Sequence, residues 1–562
     1  MADDAPANSA AREEELRRRI GLLMDAIRDG RLKFAPHLAE GAARSLSNVR
    51  RDASGKVDLS TVDGRLRALS LTVAMMKDRE DLKDAVSLRD IQEKYFAFID
   101  EIFGHLYKEM LERGATPHRA ARAFASDPKF VSITKEALPE MVAALREFWG
   151  RALEPGHVHV EDFRGGKAVF GGDLFPAHNR NIASQCGLYT DTIIVPDPFV
   201  RTAPMFEQLP PEESAYFAAK HALNVLQYKT VALAEVDPPI VVVLPDRSAL
   251  DEEEQSVLFS LAEVDAVKYS SELFGQAFKS FEEAREFVEP LDTVEKAMDR
   301  VAARDRVLFD LDWDLGPAEQ LRRALDEQSA DRMSPNHAGL LLVLSGYGRM
   351  AQATDLLLRS QRLGGTPLIQ AETSWQYFQW KLQYDASRPS GDSLTHLHMV
   401  RGLQSVSASE MEWLGGIPGE ALVEIRKQGA LPEIRQMLAS GVEAIATAKP
   451  DAFHRTADQI VENIQIAFEE HKKNVASLTA KKWRFAGHDL GSWLVVGTLG
   501  IAAAATGSPL HGLLALAADQ VLDAPRLREL PSRVSALREE ARRVKRSPVG
   551  LLFAAHEKAR AV

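Results

Sequence analysis

Two carboxylates close short apolar runs in the middle of this sequence. Asp197 follows Thr192-Ile-Ile-Val195-Pro196, and Asp246 follows Ile240-Val-Val-Val-Leu244-Pro245. Each run reads as a short buried strand. Open parallel sheets bind their ligands beyond the carboxyl ends of the strands, so Asp197 and Asp246 are the candidate catalytic pair. Paired carboxylate oxygens suit a hard divalent cation. A metal-dependent phosphoester or nucleic-acid hydrolase would use such a cation to activate water. Pro-Asp after a strand is also ordinary turn and helix-capping chemistry.

A second group is imidazole-rich. His157 and His159 stand two apart in an alternating stretch, which on a strand puts them on one face. Asp173 and His178 follow soon after. Two imidazoles and a carboxylate make a candidate zinc or iron set, His157, His159, Asp173 and His178. Their spacing matches no specific motif. Cys186 is the single cysteine, which excludes an internal disulfide and any multi-cysteine metal site. A thiol nucleophile needs a nearby base, and a lone cysteine is more often a small buried hydrophobe.

Other signals are absent or incomplete. Neither strand leads into a Gly-rich phosphate loop, and Gly165-Gly166 and Gly171-Gly172 read as turns. Asp310, Asp312 and Asp314 lack the glycine and glutamate of a calcium loop. Arg113 and His118 have the separation of a helical nuclease pair, but Pro117 lies between them. No organic cofactor is indicated; a divalent metal is the one group the carboxylates would suit.

The elements that must position these residues are mostly helical. Leu16, Ile20, Leu23 and Ile27 recur at helical spacing. Ser87 and Asp90 form a capping-box pattern ahead of a stripe at Tyr95, Phe98, Ile102 and Leu106, which reads as a bundle seam. After Gly150 the character changes. His157 to Phe163 alternates, Arg164-Gly-Gly166 turns, and Lys167 to Phe170 completes an expected β-hairpin. Strands follow at Thr192–Val195 and Ile240–Leu244, with a helix over 211–228 between them and a third strand expected over 264–269. That order predicts a small parallel sheet with right-handed crossovers. From Ser271 onward the pattern is helical, ending in long amphipathic segments over 420–447 and 454–482.

The strongest local anomaly is 490–518, which holds no Asp, Glu, Lys or Arg. Thr506-Gly-Ser-Pro509 cuts it, so it reads as a two-arm helical hairpin over 490–522. The first arm, Leu490 to Ala505, would be about 24 Å long, short of a ~30 Å hydrocarbon core. Ten Lys or Arg against four Glu from Pro525 to Val562 make the tail basic. Basic flanks on both sides favour keeping both ends on the cytoplasmic side. The hairpin therefore reads either as a helix pair buried in the C-terminal bundle or as an element that meets an anionic membrane through 490–562.

Composition bounds these readings. With 45% hydrophobic and 27% charged residues, the chain is neither disordered nor collagen-like nor a polytopic membrane protein. A net charge of −12 gives no nucleic-acid signature. The acidic start lacks a secretory signal, and Arg and Ala usage suggests a bacterial source. The expected location is cytoplasmic, peripheral at the inner face of the membrane if the hairpin acts there. The expected fold class is mainly α with a small α/β domain. Four domains are expected: helical 1–150, small α/β 151–315, helical 316–418, and a C-terminal bundle 419–562 carrying the hairpin. Function divides three ways. The first reading is an interaction or effector protein, not an enzyme, whose α/β part senses a ligand and whose C-terminal bundle contacts a protein partner, another copy or a membrane. The second is a metal-dependent hydrolase centred on Asp197 and Asp246. The third is a passive scaffold.

Overall fold

Short β-branched runs make a central sheet, and amphipathic helices make most of the rest. The computed structural model describes residues 5–33, 35–172, 181–310, 315–331, 337–384, 391–408, 417–480, 484–485, 488–489, 543 and 546–560. The chain opens with α1 (Ala5–Arg28), α2 (Pro36–Ser47), α3 (Gly64–Ala85), α4 (Leu88–Glu112), α5 (Pro117–Ala125) and α6 (Pro128–Glu161). Capping chemistry sets several starts. Asp63 accepts from Leu66 N at 2.9 Å, the Ser87 hydroxyl accepts from Asp90 N at 3.1 Å, and Thr116 caps α5 ahead of Pro117. These side chains satisfy amides that have no partner within the helix.

Met1–Ile91 with Arg151–Asp162 form one compact unit, and Gln92–Gly150 with Phe163–Val562 form another. The first unit is centred on Ile20, Leu23, Leu66 and Val73 from α1 and α3. In the second, α4 buries Tyr95, Phe96, Ile99, Phe103, Leu106 and Met110. The seam is rotated from the expected stripe, since Phe98 and Ile102 are only half-buried.

The sheet belongs to the second unit. Its elements run β1 (Lys167–Phe170), α7 (Ile182–Cys186), β2 (Thr192–Val195), α8 (Pro198–Phe206), α9 (Pro211–Leu226), α10 (Lys229–Ala232) and β3 (Val241–Val243). Then come α11 (Glu252–Phe274), α12 (Phe281–Val288), α13 (Val294–Arg300), α14 (Pro317–Asp331), α15 (Ala338–Leu363) and β4 (Thr366–Leu368). The order is β3-β2-β1-β4 and every pairing is parallel, with Lys167 opposite Thr192, Val195 opposite Val243 and Ala168 opposite Thr366. β1, β2 and β3 are buried along their whole length, which is why they read as continuous apolar runs and not as alternation.

Two strand expectations are corrected. The stretch 157–161 is the end of α6 and not one arm of a hairpin. The helix continues through Pro155-Gly156, a pair that ordinarily marks a turn. His157, Val158 and Val160 are all buried there, so burial nearly all round erases the amphipathic period that would mark a helix. The third strand expected over 264–269 lies inside α11, where Ala262, Ala266, Tyr269 and Leu273 are buried at helical spacing. The fourth strand is β4, three residues long with a central proline, tolerated because β4 is at the sheet edge.

The remaining helices are α16 (Glu372–Tyr384), α17 (Asp392–Ala408), α18 (Gly419–Lys427), α19 (Leu431–Ala439), α20 (Val442–Ala448), α21 (Phe453–Ala480) and α22 (Pro548–Arg560). The aromatic load of α16 is buried, with Tyr377 and Trp380 packed against Tyr269. α15 crosses that ring at Gly346, where a Cβ would lie 2.3 Å from Tyr269 Cε1. The fold is mainly α with a small parallel α/β core, and among the described residues no helix is long and apolar enough to cross a membrane. The apolar segment 490–522 lies outside the described residues.

Candidate functional site

β2 and β3 are parallel neighbours, so Asp197 and Asp246 lie at the same, carboxyl end of the sheet. Their carboxylates are committed to different partners. Asp197 caps α8, accepting from Phe199 N at 2.8 Å and from Trp149 Nε1 at 2.6 Å. It is fully buried. Burial pushes its carboxyl up to about 6, against the pull of the Trp149, Phe199, Val200 and Tyr95 hydrogen bonds.

Asp246 sits between two guanidinium groups. Arg201 Nη1 lies 2.5 Å from its Oδ2, and Arg359 Nε lies 2.7 Å from its Oδ1. Arg201 also reaches Asp355 at 3.4 Å, and Arg359 Nη1 donates to the Phe170 carbonyl at 3.3 Å. All four charged side chains are at least nine-tenths buried. Burial first, then the charge of Asp246, raises the Asp355 carboxyl to about 6. Two cations and two carboxylates balance here, and the cluster ties α8, α15 and the ends of β1 and β3 together. Beyond the carboxyl ends of β1 and β4, where the strand order reverses, the backbone at Gly172 runs close against Ile369. A Cβ on Gly172, whose φ is +84°, would meet Ile369 Cγ1 at 3.0 Å.

The imidazole group does not assemble as a strand face. His157 and His159 sit two apart on a helix, hence on nearly opposite sides. His157 is buried, and His159 Nε2 bonds the Val86 carbonyl at 2.9 Å. Asp173 and His178 lie outside the described residues. Among the described residues no three His, Cys, Asp or Glu side chains gather as a metal set. Cys186 is buried in α7, and burial pushes its thiol up to about 12, far from an activated nucleophile.

An open space among the described residues lies at the other end of the sheet. A cavity of about 570 Å³ is bounded by the approaches to β1 and β4, by the last turns of α15, by α16 and by the first turns of α17. This is within the size range of small-molecule sites. Two Gly-Gly pairs shape it, Gly165-Gly166 before β1 and Gly364-Gly365 before β4. A Cβ on Gly166 would lie 2.6 Å from His396 Cε1, and one on Gly365 would lie 2.8 Å from Val169 Cγ2. The polar lining includes Lys167, Ser360, Asp392 and His396, over an apolar floor of Leu357, Phe378 and Leu397. Lys167 is only 6% exposed and Ser360 only 3%. The Ser360 hydroxyl is buried with no hydrogen-bond partner among the described residues.

Asp191 braces this end. It accepts from Gly166 N at 2.7 Å and pairs with Arg435 at 2.9 Å and Arg426 at 3.1 Å. Burial works to raise its carboxyl, but Arg435, the Gly166 amide and Arg426 hold it below the ordinary range. His396 packs edge-on against Tyr189, with ring centres 5.1 Å apart. Burial first, and then the Arg435 charge, lower its pKa, so the ring is neutral near pH 7.

No family model, curated protein or solved structure matches the chain, so the site is read from its own chemistry. Sequence reasoning placed Lys167 on a strand and passed over Ser360, Asp392 and His396. One signal was present, a Gly-Gly pair before a short strand at two distant places, 165–167 and 364–366.

Proposed function

We propose that this chain is a ligand-responsive helical interaction or effector protein, in which the α/β core binds a small polar molecule in the cavity at the amino end of β1 and β4. The observation that carries this reading is the double role of α17. Its first turns, with Asp392 and His396, line the cavity. Two residues beyond His396, the His398 ring bonds the Thr456 hydroxyl at 2.8 Å and the Pro450 carbonyl at 2.9 Å. Gly402 packs so closely on α21 that a Cβ there would lie 2.9 Å from Ile460 Cδ1. A ligand that shifts α17 therefore shifts the helices that follow. Asp191 supplies a second route, because its arginine partners stand on α18 and α19. The output is contact with a protein partner or another copy, with an anionic membrane reached through 490–562 as the further destination.

The test is hydrogen exchange on the full chain, with and without each of six probes: benzoate, benzamide, glucose 6-phosphate, glucose, adenosine monophosphate and adenosine. At least one probe should bind and change protection in α17 and also in α20 or α21. Ser393→Trp, at an exposed position on the cavity lining, should abolish both effects. Binding by no probe, binding unaffected by Ser393→Trp, or protection confined to the cavity lining would each sink the sensing reading.

A further inference from the structure

We propose that the face shared by α5 and α9 is an oxyanion site, which takes the phosphate group of a phosphomonoester between His118, Arg119, Arg122 and Lys220. None of these four residues lines the cavity described above. The two helices pack together and meet around one ring. Arg122 Cζ lies 5.0 Å from the centre of the Tyr216 ring, and Lys220 Nζ lies 5.6 Å from it. His118 stands edge-on to the same ring, with its Nδ1 2.7 Å from the Tyr216 hydroxyl. Arg119 follows His118 in the first turn of α5. Lys220 is 6% exposed, while His118, Arg119 and Arg122 are exposed above it.

The missing countercharge sets this group apart. Other buried cations in the same unit are matched: Arg201 and Arg359 with Asp246, Lys381 with Asp265, and Arg426 with Asp191. Among the described residues no carboxylate pairs with His118, Arg119, Arg122 or Lys220. Glu212 and Glu213, in the first turn of α9, pair with none of them. The Tyr216 and Phe217 rings give Lys220 a cation–π contact, which offsets only part of the cost of taking an ammonium from water. The imidazole registers the unbalanced field. Burial first, and then the charges of Lys220, Arg122 and Arg119, lower the His118 pKa, so the ring is neutral near pH 7. With Nδ1 accepting from the Tyr216 hydroxyl, that ring carries its proton on Nε2 and is a further donor. Guanidinium forks match phosphate oxygens two at a time. The two exposed arginines can close on a phosphate group from above, with the recessed ammonium fixed beneath it. Three cations facing a dianion are neutralised more fully than by a carboxylate, which carries a single charge.

Calorimetry on the full chain compares inorganic phosphate, phenyl phosphate and acetate at equal ionic strength. Both phosphates should bind, at least about tenfold more tightly than acetate, as charge-assisted contacts to a dianion imply. Arg122→Gln changes an exposed side chain, and Lys220→Met removes an unpaired buried charge, so each keeps the fold. Each should weaken phosphate at least about fivefold, the scale of one lost charge-assisted contact. Lys220→Arg should retain binding. Ser393→Trp, which obstructs the cavity, should leave phosphate binding unchanged, so this site and the cavity stand or fall separately. Sedimentation with phosphatidate-containing phosphatidylcholine vesicles distinguishes the source of the phosphate. Vesicle binding that is lost in the same two variants, alongside binding of the soluble phosphates, would support the site with a lipid as one supplier. Vesicle binding without any binding of soluble phosphate would overturn it in favour of a membrane surface. Phosphate bound no more tightly than acetate, or bound undiminished in both Arg122→Gln and Lys220→Met, would also overturn it. So would loss of phosphate binding in Ser393→Trp.

Discussion

Trp149 Nε1 donates to Asp197 Oδ2 at 2.6 Å in a fully buried setting. Asp197 is thereby a structural acceptor at the start of α8, with burial raising its carboxyl to about 6 from an ordinary 3.8. The linkage has a definite sign. Between those values the folded chain binds more protons than the unfolded one, so this group's contribution to stability falls as pH rises from about 4 through 6. Asp197→Asn removes the titration. Denaturant unfolding should show the stability of the original chain, relative to Asp197→Asn, declining by up to about 3 kcal/mol between pH 4 and pH 7. A difference that does not vary with pH would mean the carboxyl is not raised.

Asp246 behaves differently because its neighbours are cations. Were Asp246 only a turn and capping residue, Asp246→Asn would disturb a cap, by about 1 kcal/mol or less. The structure places Asp246 against Arg201 and Arg359, both nearly inaccessible. Removing the carboxylate leaves two buried guanidinium groups sharing Asp355. Asp246→Ala should therefore cost about 3–5 kcal/mol in urea unfolding. The carboxyl of Asp355, raised by burial and then by the Asp246 charge, should titrate lower in that variant. A cost under about 1 kcal/mol would return Asp246 to plain turn chemistry.

What the sequence disclosed follows the length and pattern of each element. Thr192–Val195 was legible because four β-branched or apolar residues stand between polar boundaries, and the parallel sheet followed from the strand and helix order. β4 was not legible, since Thr366-Pro-Leu368 is too short for any period and contains a proline. His157 and His159 misled because the buried end of α6 imitates alternation. The candidate pair Asp197 and Asp246 was placed at the right end of the sheet. Their partners, Trp149, Arg201 and Arg359, come from distant segments, which spacing along the chain does not reveal. The cavity escaped for the same reason. Its walls join residues near 165, 360 and 395, and only the paired glycines hinted at a close approach.

Lys220 offers a test of the opposite linkage sign. It is 6% exposed on α9, with Nζ 5.6 Å from the centre of the Tyr216 ring and 5.7 Å from that of Phe217. Burial, and then the charge of Arg122, lower its amine from 10.5 to about 8. Between those values the unfolded chain holds more protons, so the group's contribution to stability rises as pH rises from about 8 to 10.5. At pH 7 Lys220→Met should be more stable than the original chain by about 1–2 kcal/mol, the lost cation–π contacts offsetting part of the relief. That advantage should shrink on titration to pH 10. An advantage constant across this range would show that Lys220 titrates normally.

Ser360 and Ser184 form a matched pair of buried hydroxyls with different surroundings. The Ser184 hydroxyl donates to the Ile417 carbonyl at 2.7 Å, whereas that of Ser360 has no partner among the described residues. Replacing a partnered hydroxyl by alanine loses a hydrogen bond and strands an acceptor, so Ser184→Ala should cost about 1 kcal/mol or more. Replacing an unpartnered one removes only a group that already lost its water on folding. Ser360→Ala should therefore be neutral or stabilising by up to about 1 kcal/mol in the unliganded chain. Parallel urea unfolding of the two variants gives the comparison. If Ser360→Ala costs as much as Ser184→Ala, the hydroxyl holds the fold and is not held in reserve for a ligand. If the unliganded chain is unharmed, the hydroxyl contributes nothing to holding the fold and stands available to a molecule bound in the cavity.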